Sequence, residues 1–243
     1  MIRSIKPTCD PEINFMNQTS RILVLMTLLG GLAAATTAHA QPYEEGVHYE
    51  RISGPNPGSN GDGVEVVEVF SYMCPHCRSF QPYVSRWEEA LPEQVTFRRV
   101  PVSFNRSWEP FARAYYTAEL LDVLDESHET VFVALHDERK QFRSMSELAQ
   151  LYEQHGIEPA QFESTAKSFP VESRMRTGNA EIGKWQVRST PTLVIDGTWR
   201  VSPRRGSTFD EMLEIADYVL AMALESESER LADRDSQRQD PDS

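Results

Sequence analysis

Val64-Glu65-Val66-Val67-Glu68-Val69-Phe70 runs without a break into Ser71-Tyr72-Met73-Cys74-Pro75-His76-Cys77, and then into a stretch holding Phe80, Val84, Trp87 and Leu91. The first seven residues have strand length, and their apolar positions are β-branched or aromatic. After Cys77 the apolar residues recur four, three and four apart, which places them on one face of a helix. Pro92 predicts the end of that helix. Val95 to Val102 then reads as a second strand, and a strand-helix-strand unit of this kind joins two parallel strands.

Outward from this unit, residues 103–185 are helical in pattern. Phe111 to Leu124, Thr130 to Phe142, Ser146 to His155 and Pro159 to Ser168 each space apolar residues three and four apart. Ser146 predicts a capped start and Gly156 a stop. A longer, more polar segment covers Val171 to Val187. Thr192 to Ile195 and Thr198 to Val201 flank Asp196-Gly197, the strongest short-range hairpin signal. Phe209 to Leu224 closes the pattern as a helix with Met212, Leu213, Ile215, Ala216, Val219 and Leu220 on its buried side. Residues 225–243 are acidic with almost nothing apolar, so the tail is expected to be disordered. Pro42 to Asp62, rich in Gly and Pro, reads as a lead-in.

Composition excludes several function classes. The chain has 243 residues, 40% hydrophobic and 25% charged, in the ordinary globular range. A net charge of -13 disfavours nucleic acid and anionic bilayers, whose binding requires clustered Lys and Arg. Near the N-terminus, Ile22 to Leu32 is apolar but too short to span a bilayer. Arg21 precedes it and Ala38-His39-Ala40 follows, so residues 1–40 are expected to be a signal peptide, with Met16 the better start. Cleavage there removes Cys9 and leaves Cys74 and Cys77, an even count that suits an oxidising compartment.

A Cys-x-x-Cys spacing serves zinc sites, haem attachment and redox pairs alike. Here no second pair or His-x-x-x-His supplies a closed zinc site, and Arg78 stands where haem attachment needs His. What remains is a pair between a strand end and a helix start, where backbone N–H groups favour an anion and hence a thiolate on Cys74. Glu65 and Glu68 interrupt a strand that should be apolar if helices cover both its faces. Glu68 is either buried for a reason or a solvated strand-end carboxylate. His48, His128, His136 and His155 lack ligand spacing and read as surface or helix-face residues. The four tryptophans read as packing, and Arg98-Arg99 and Arg204-Arg205 as solvated pairs.

The segment Glu68 to Cys77, together with Thr190-Pro191 ahead of Thr192-Leu193-Val194-Ile195-Asp196-Gly197, resembles the DsbA family of periplasmic thiol-disulfide oxidoreductases. The resemblance extends from about Tyr43 to Leu224. It implies an α/β thioredoxin fold with an inserted helical domain: residues 41–103 and 186–224 would form the thioredoxin-like halves and 104–185 the insertion. By the same resemblance Cys74 would be the nucleophile, Cys77 its buried resolving partner, and Pro75 and His76 the residues that tune the pair. Glu68 would be the buried acid beneath it, and Thr190-Pro191 a cis-proline loop that meets substrate. Gln81 departs from the family, many of whose members are acidic there. No prosthetic group is implied beyond the redox-active Cys74–Cys77 disulfide. Expected partners are reduced exported proteins and a DsbB-like, quinone-linked membrane oxidase that accepts the electrons, with the chain itself a monomer. The alternatives are a disulfide isomerase or reductase, which usually requires a separate dimerisation module, and a metal carrier using Cys74, Cys77 and His76.

Overall fold

Strand β2 (Val64–Phe70) lies inside a five-stranded sheet of order β1-β5-β4-β2-β3, formed with β1 (Glu50–Arg51), β3 (Val95–Pro101), β4 (Thr192–Ile195) and β5 (Trp199–Val201). The computed structural model describes residues 42–53 and 63–239; the expected signal peptide lies outside them. β2 and β3 are parallel, with Glu68 opposite Arg99, and β4 pairs antiparallel with both β2 and β5. The expected Asp196-Gly197 turn is present. Both residues have positive φ, at 50° and 59°, which a two-residue turn matching the strand twist requires and glycine tolerates best. The lead-in adds β1, a two-residue edge strand too short to carry a periodic signal, paired with β5.

Alternation along β2 sorts its side chains onto two covered faces. Val64 and Val66 pack with Phe80 and Val84 of α1 (Pro75–Glu89) and with Met212, Ile215 and Val219 of α7 (Phe209–Gln239). Val67 and Val69 face Ile182 and Trp185 at the end of α6 (Phe169–Lys184). The chain leaving β2 runs past the sheet, and Phe70 at the strand end joins Tyr72, Cys74 and Cys77 in a third core built largely from helical residues. These include Phe111 and Tyr115 of α2 (Glu109–Leu120), Val131 and Phe132 of α3 (Leu124–Phe132), Leu148 of α4 (Met145–Ala149) and Phe162 of α5 (Pro159–Ala166). The two cysteines therefore sit where sheet and helical insertion meet.

Several boundaries differ from expectation. α3 starts at Leu124 rather than Thr130 and passes into a π turn, Val133–Asp137. The cap of α4 is Ser144, whose hydroxyl accepts from Glu147 N at 3.1 Å, not Ser146. The acidic tail is helical as far as Gln239, where disorder was expected. Net charge per residue misses its spacing: Arg230 meets Glu227 at 2.5 Å one turn back and also reaches Asp196 of the hairpin at 3.5 Å, and Glu227 is buried. Among the described residues no helix is long and apolar enough to cross a membrane.

The packing of α6 on α2 leaves no room for a methyl group at Gly178, where a Cβ would fall 2.3 Å from the Tyr116 hydroxyl and 3.3 Å from Val100. Alanine normally gains up to about 1 kcal/mol over glycine inside a helix. Here Gly178→Ala should instead destabilise by about 1–2 kcal/mol, because overpacking outweighs propensity. A urea midpoint at or above the parent value would show that the interface yields.

Candidate functional site

The turn after β2 is held by its own backbone: Cys74 N donates to Ser71 O at 3.1 Å, and Met73 N donates to the Ser71 hydroxyl at 3.1 Å. This delivers Cys74, in extended conformation at ψ 115°, to the cap position of α1. Pro75 follows as the first helical residue, where its missing N–H costs nothing and its fixed φ suits a helix. Ordinarily an oxygen caps such a helix. Here the Cys74 sulfur takes that place, accepting from Cys77 N at 3.4 Å.

Both cysteines are free thiols, and their surroundings drive them apart. The hydrogen bond from the Cys77 thiol is the largest influence on Cys74; with Thr190 and the backbone N–H groups of Cys77 and His76 it overcomes desolvation and brings the pKa down to about 5. Cys77, with no exposed surface, is pushed up, first by burial and then by the hydrogen bond and charge of Cys74 and the charge of Glu68. The pair thus shares one proton, kept by Cys77. Pro75 and His76 are exposed, so among the resolved influences on Cys74 His76 acts through its backbone N–H rather than its ring.

Thr190-Pro191 is cis, and in the thiol form Cys74 Sγ donates to the Thr190 carbonyl at 3.5 Å. Residues separated by more than a hundred positions thereby meet: the sulfur that caps α1 and the loop that leads into β4.

Glu68 is fully buried and on the face of β2 beneath α1. Its Oε2 accepts from Arg99 Nε at 3.0 Å and its Oε1 from Gln81 Nε2 at 3.4 Å. Burial pushes its pKa up, opposed first by the charge and hydrogen bond of Arg99. Sequence reasoning missed Arg99, and its reading as a solvated arginine is corrected: it bridges Glu68 and Glu88, while Arg98 bridges Glu65 and Glu181. The signal was available, since Glu-x-x-Glu on one strand faces Arg-Arg on the parallel neighbour.

His128 is likewise no surface residue. Its Nδ1 hydrogen-bonds the Tyr72 hydroxyl at 2.8 Å, its ring sits among Phe70, Tyr115 and Phe132, and burial, with the charge of Arg99, pushes its pKa down to about 3. Among the described residues no three His, Cys, Asp or Glu side chains gather as a metal site.

Comparison with known proteins gives one family. The family model described as Thioredoxin matches residues 56–215. The curated thiol:disulfide interchange protein DsbA of Pseudomonas aeruginosa is 33% identical over 198 residues, 82% of this chain and 92% of the relative. That of Azotobacter vinelandii is 31% identical over 206 residues, 82% of this chain and 96% of the relative. Among solved structures, P. aeruginosa DsbA matches with a TM-score of 0.71 at 33% identity, covering 80% of this chain and 98% of that one. The oxidoreductase DsbA from Xylella fastidiosa matches with a TM-score of 0.67 at 34% identity, covering 75% and 97%. The chain belongs to the DsbA family of thioredoxin-fold thiol:disulfide interchange proteins.

Removing Arg99 strands a buried carboxylate, so Arg99→Ala should cost about 3–5 kcal/mol at neutral pH. Burial already makes Glu68 ionise later in the folded protein than in the unfolded chain, and without its cation it ionises later still. Folding then binds a proton, and stability is lost as pH rises past the ordinary glutamate value of about 4.3. Urea unfolding should therefore show a larger deficit at pH 7 than at pH 5; an equal deficit at both would mean that Glu68 does not depend on Arg99.

Proposed function

We propose that this DsbA-family interchange protein works as a dithiol oxidase, introducing disulfides into exported proteins in the periplasm. A substrate thiolate attacks Cys74 Sγ of the oxidised pair; the Cys74–Cys77 bond breaks, a mixed disulfide forms on Cys74, and Cys77 leaves as a thiolate that takes up a proton. A second substrate thiol, once deprotonated, attacks its own mixed sulfur and expels Cys74 as a thiolate. Two electrons pass from substrate to enzyme, and a DsbB-like, quinone-linked membrane oxidase would accept them. The chain would act as a monomer, with residues 1–40 removed and with 104–185 inserted between the thioredoxin-like halves 41–103 and 186–224.

The observation that carries the direction of transfer is the Cys74 sulfur at the cap of α1, accepting from Cys77 N at 3.4 Å, an arrangement that brings its pKa down to about 5. A thiolate so well solvated by protein donors stabilises the dithiol form and makes the disulfide the stronger oxidant. DsbA is itself the standard example of this behaviour among thiol proteins, so the direction is shared with the family rather than peculiar to this chain. A low-pKa thiolate is also a fast leaving group, which favours release of oxidised product. Glu68 would take part in the proton traffic of Cys77, with Gln81 orienting the carboxylate through its N–H, since an amide neither gains nor loses a proton near neutral pH. Pro75 and His76 would set the geometry of the donors, and Thr190 with Pro191 would present backbone to an extended substrate.

Cys77→Ser should hold substrates as stable mixed disulfides on Cys74, seen on non-reducing gels, and Cys74→Ser should hold none; trapping by the second variant would reverse the roles. The parent protein should refold a reduced multi-disulfide substrate at least tenfold faster than it rescues the same substrate after scrambling. Equal rates would favour an isomerase.

A further inference from the structure

The π turn Val133–Asp137 touches the active-site segment at two points that straddle it. On one side His136 Nε2 donates to the Tyr72 carbonyl at 2.7 Å, two residues before Cys74. A carbonyl can only accept, so Nε2 carries the proton. On the other side Asp137 grips Arg78, the residue after Cys77, through Nη2–Oδ2 at 2.5 Å and Nε–Oδ1 at 3.2 Å. Glu129, two turns earlier, takes the remaining Arg78 nitrogen at 2.5 Å, and His128 holds the Tyr72 hydroxyl.

Two neighbouring residues of the insertion thus hold positions 72 and 78, with the whole Cys-Pro-His-Cys sequence between them. The π geometry is local and definite: Glu138 N donates back five residues to Val133 O at 2.9 Å. Single π turns of this kind are frequent at functional sites. Here the turn itself carries His136 and Asp137.

We propose that this turn is a latch, with His136 and Asp137 as positioning residues that hold the segment Tyr72–Arg78 from both ends and fix Cys74 over the first turn of α1. The proposal rests on the reading of Cys74 as the attacking and leaving sulfur. It gives the helical insertion a role in the exchange chemistry itself. The reason is geometric. The contact from Cys77 N to Cys74 Sγ is already 3.4 Å, near the limit of a useful hydrogen bond to sulfur, so small displacements of residues 72–78 weaken every donor on that thiolate together. The ion pairs of Arg78 have partly exposed partners and add little to overall stability. Their effect should therefore show in the chemistry of Cys74 more than in unfolding.

The test uses the full mature chain in its reduced form, following thiolate absorbance against pH for the parent, His136→Ala, His136→Gln and Asp137→Asn. His136→Ala and Asp137→Asn should raise the pH at which Cys74 ionises by half a unit or more, and slow its release from a model mixed disulfide severalfold. His136→Gln, which keeps an N–H donor, should recover much of the parent behaviour. If one variant does not fold, the others decide. Ionisation at the parent pH in every folded variant would overturn the latch, whatever happened to their stability. Failure of Cys77→Ser to trap substrate on Cys74 would instead overturn the functional reading, so the two failures are distinguishable.

Discussion

A helix start leaves backbone N–H groups without partners, and something must accept from them. In this protein the acceptor is a sulfur atom. That single substitution of sulfur for the usual cap oxygen ties the secondary structure of α1 to the redox chemistry, because the N–H groups that begin the helix join the Cys77 thiol and Thr190 in holding a negative charge on Cys74. The turn Ser71–Cys74 places the sulfur, Pro75 starts the helix without a wasted donor, and Cys77 supplies the strongest contact from one turn further on. Burial acts on the two thiols unequally, and Cys77, the more enclosed, keeps the proton.

Below this pair lies a second constraint. A carboxylate without surface exposure is tolerated only when its charge and oxygens are met, and Glu68 is met by Arg99 from the adjacent strand and Gln81 from the helix above. The parallel register that sets Glu68 opposite Arg99 therefore fixes more than sheet geometry: it holds a negative group under Cys77, which helps keep that thiol protonated. Glu88 on the outer side of Arg99 completes a chain of charges running from the helix surface to the buried acid.

What the sequence could show follows from the range over which each signal acts. Local signals worked: the β-branched run of β2, the Asp-Gly turn and the helical spacing after Cys77 all depend on neighbours in the chain, whereas the Thr190-Pro191 loop was legible only through the family resemblance. The cysteine pair was legible for the same reason, as was the oddity of Glu68 in an apolar strand. Partners distant in sequence were not. Arg99 looked solvated because its carboxylates lie on β2 and α1, and His128 looked like a helix-face residue because the aromatic rings around it come from three elements. The acidic tail misled through composition, which records how much charge a segment carries and ignores that Arg230 is spaced to meet Glu227 and placed to reach Asp196.

The central claim is that the first turn of α1 holds Cys74 as a thiolate while Cys77 remains a thiol. Titrating the reduced parent protein by thiolate absorbance, with the single-cysteine variants as reference for assigning the signal, tests it most directly. One sulfur should ionise near pH 5, with the other still protonated well above neutrality. Two thiols ionising together near the ordinary cysteine value of about 8.5 would contradict it.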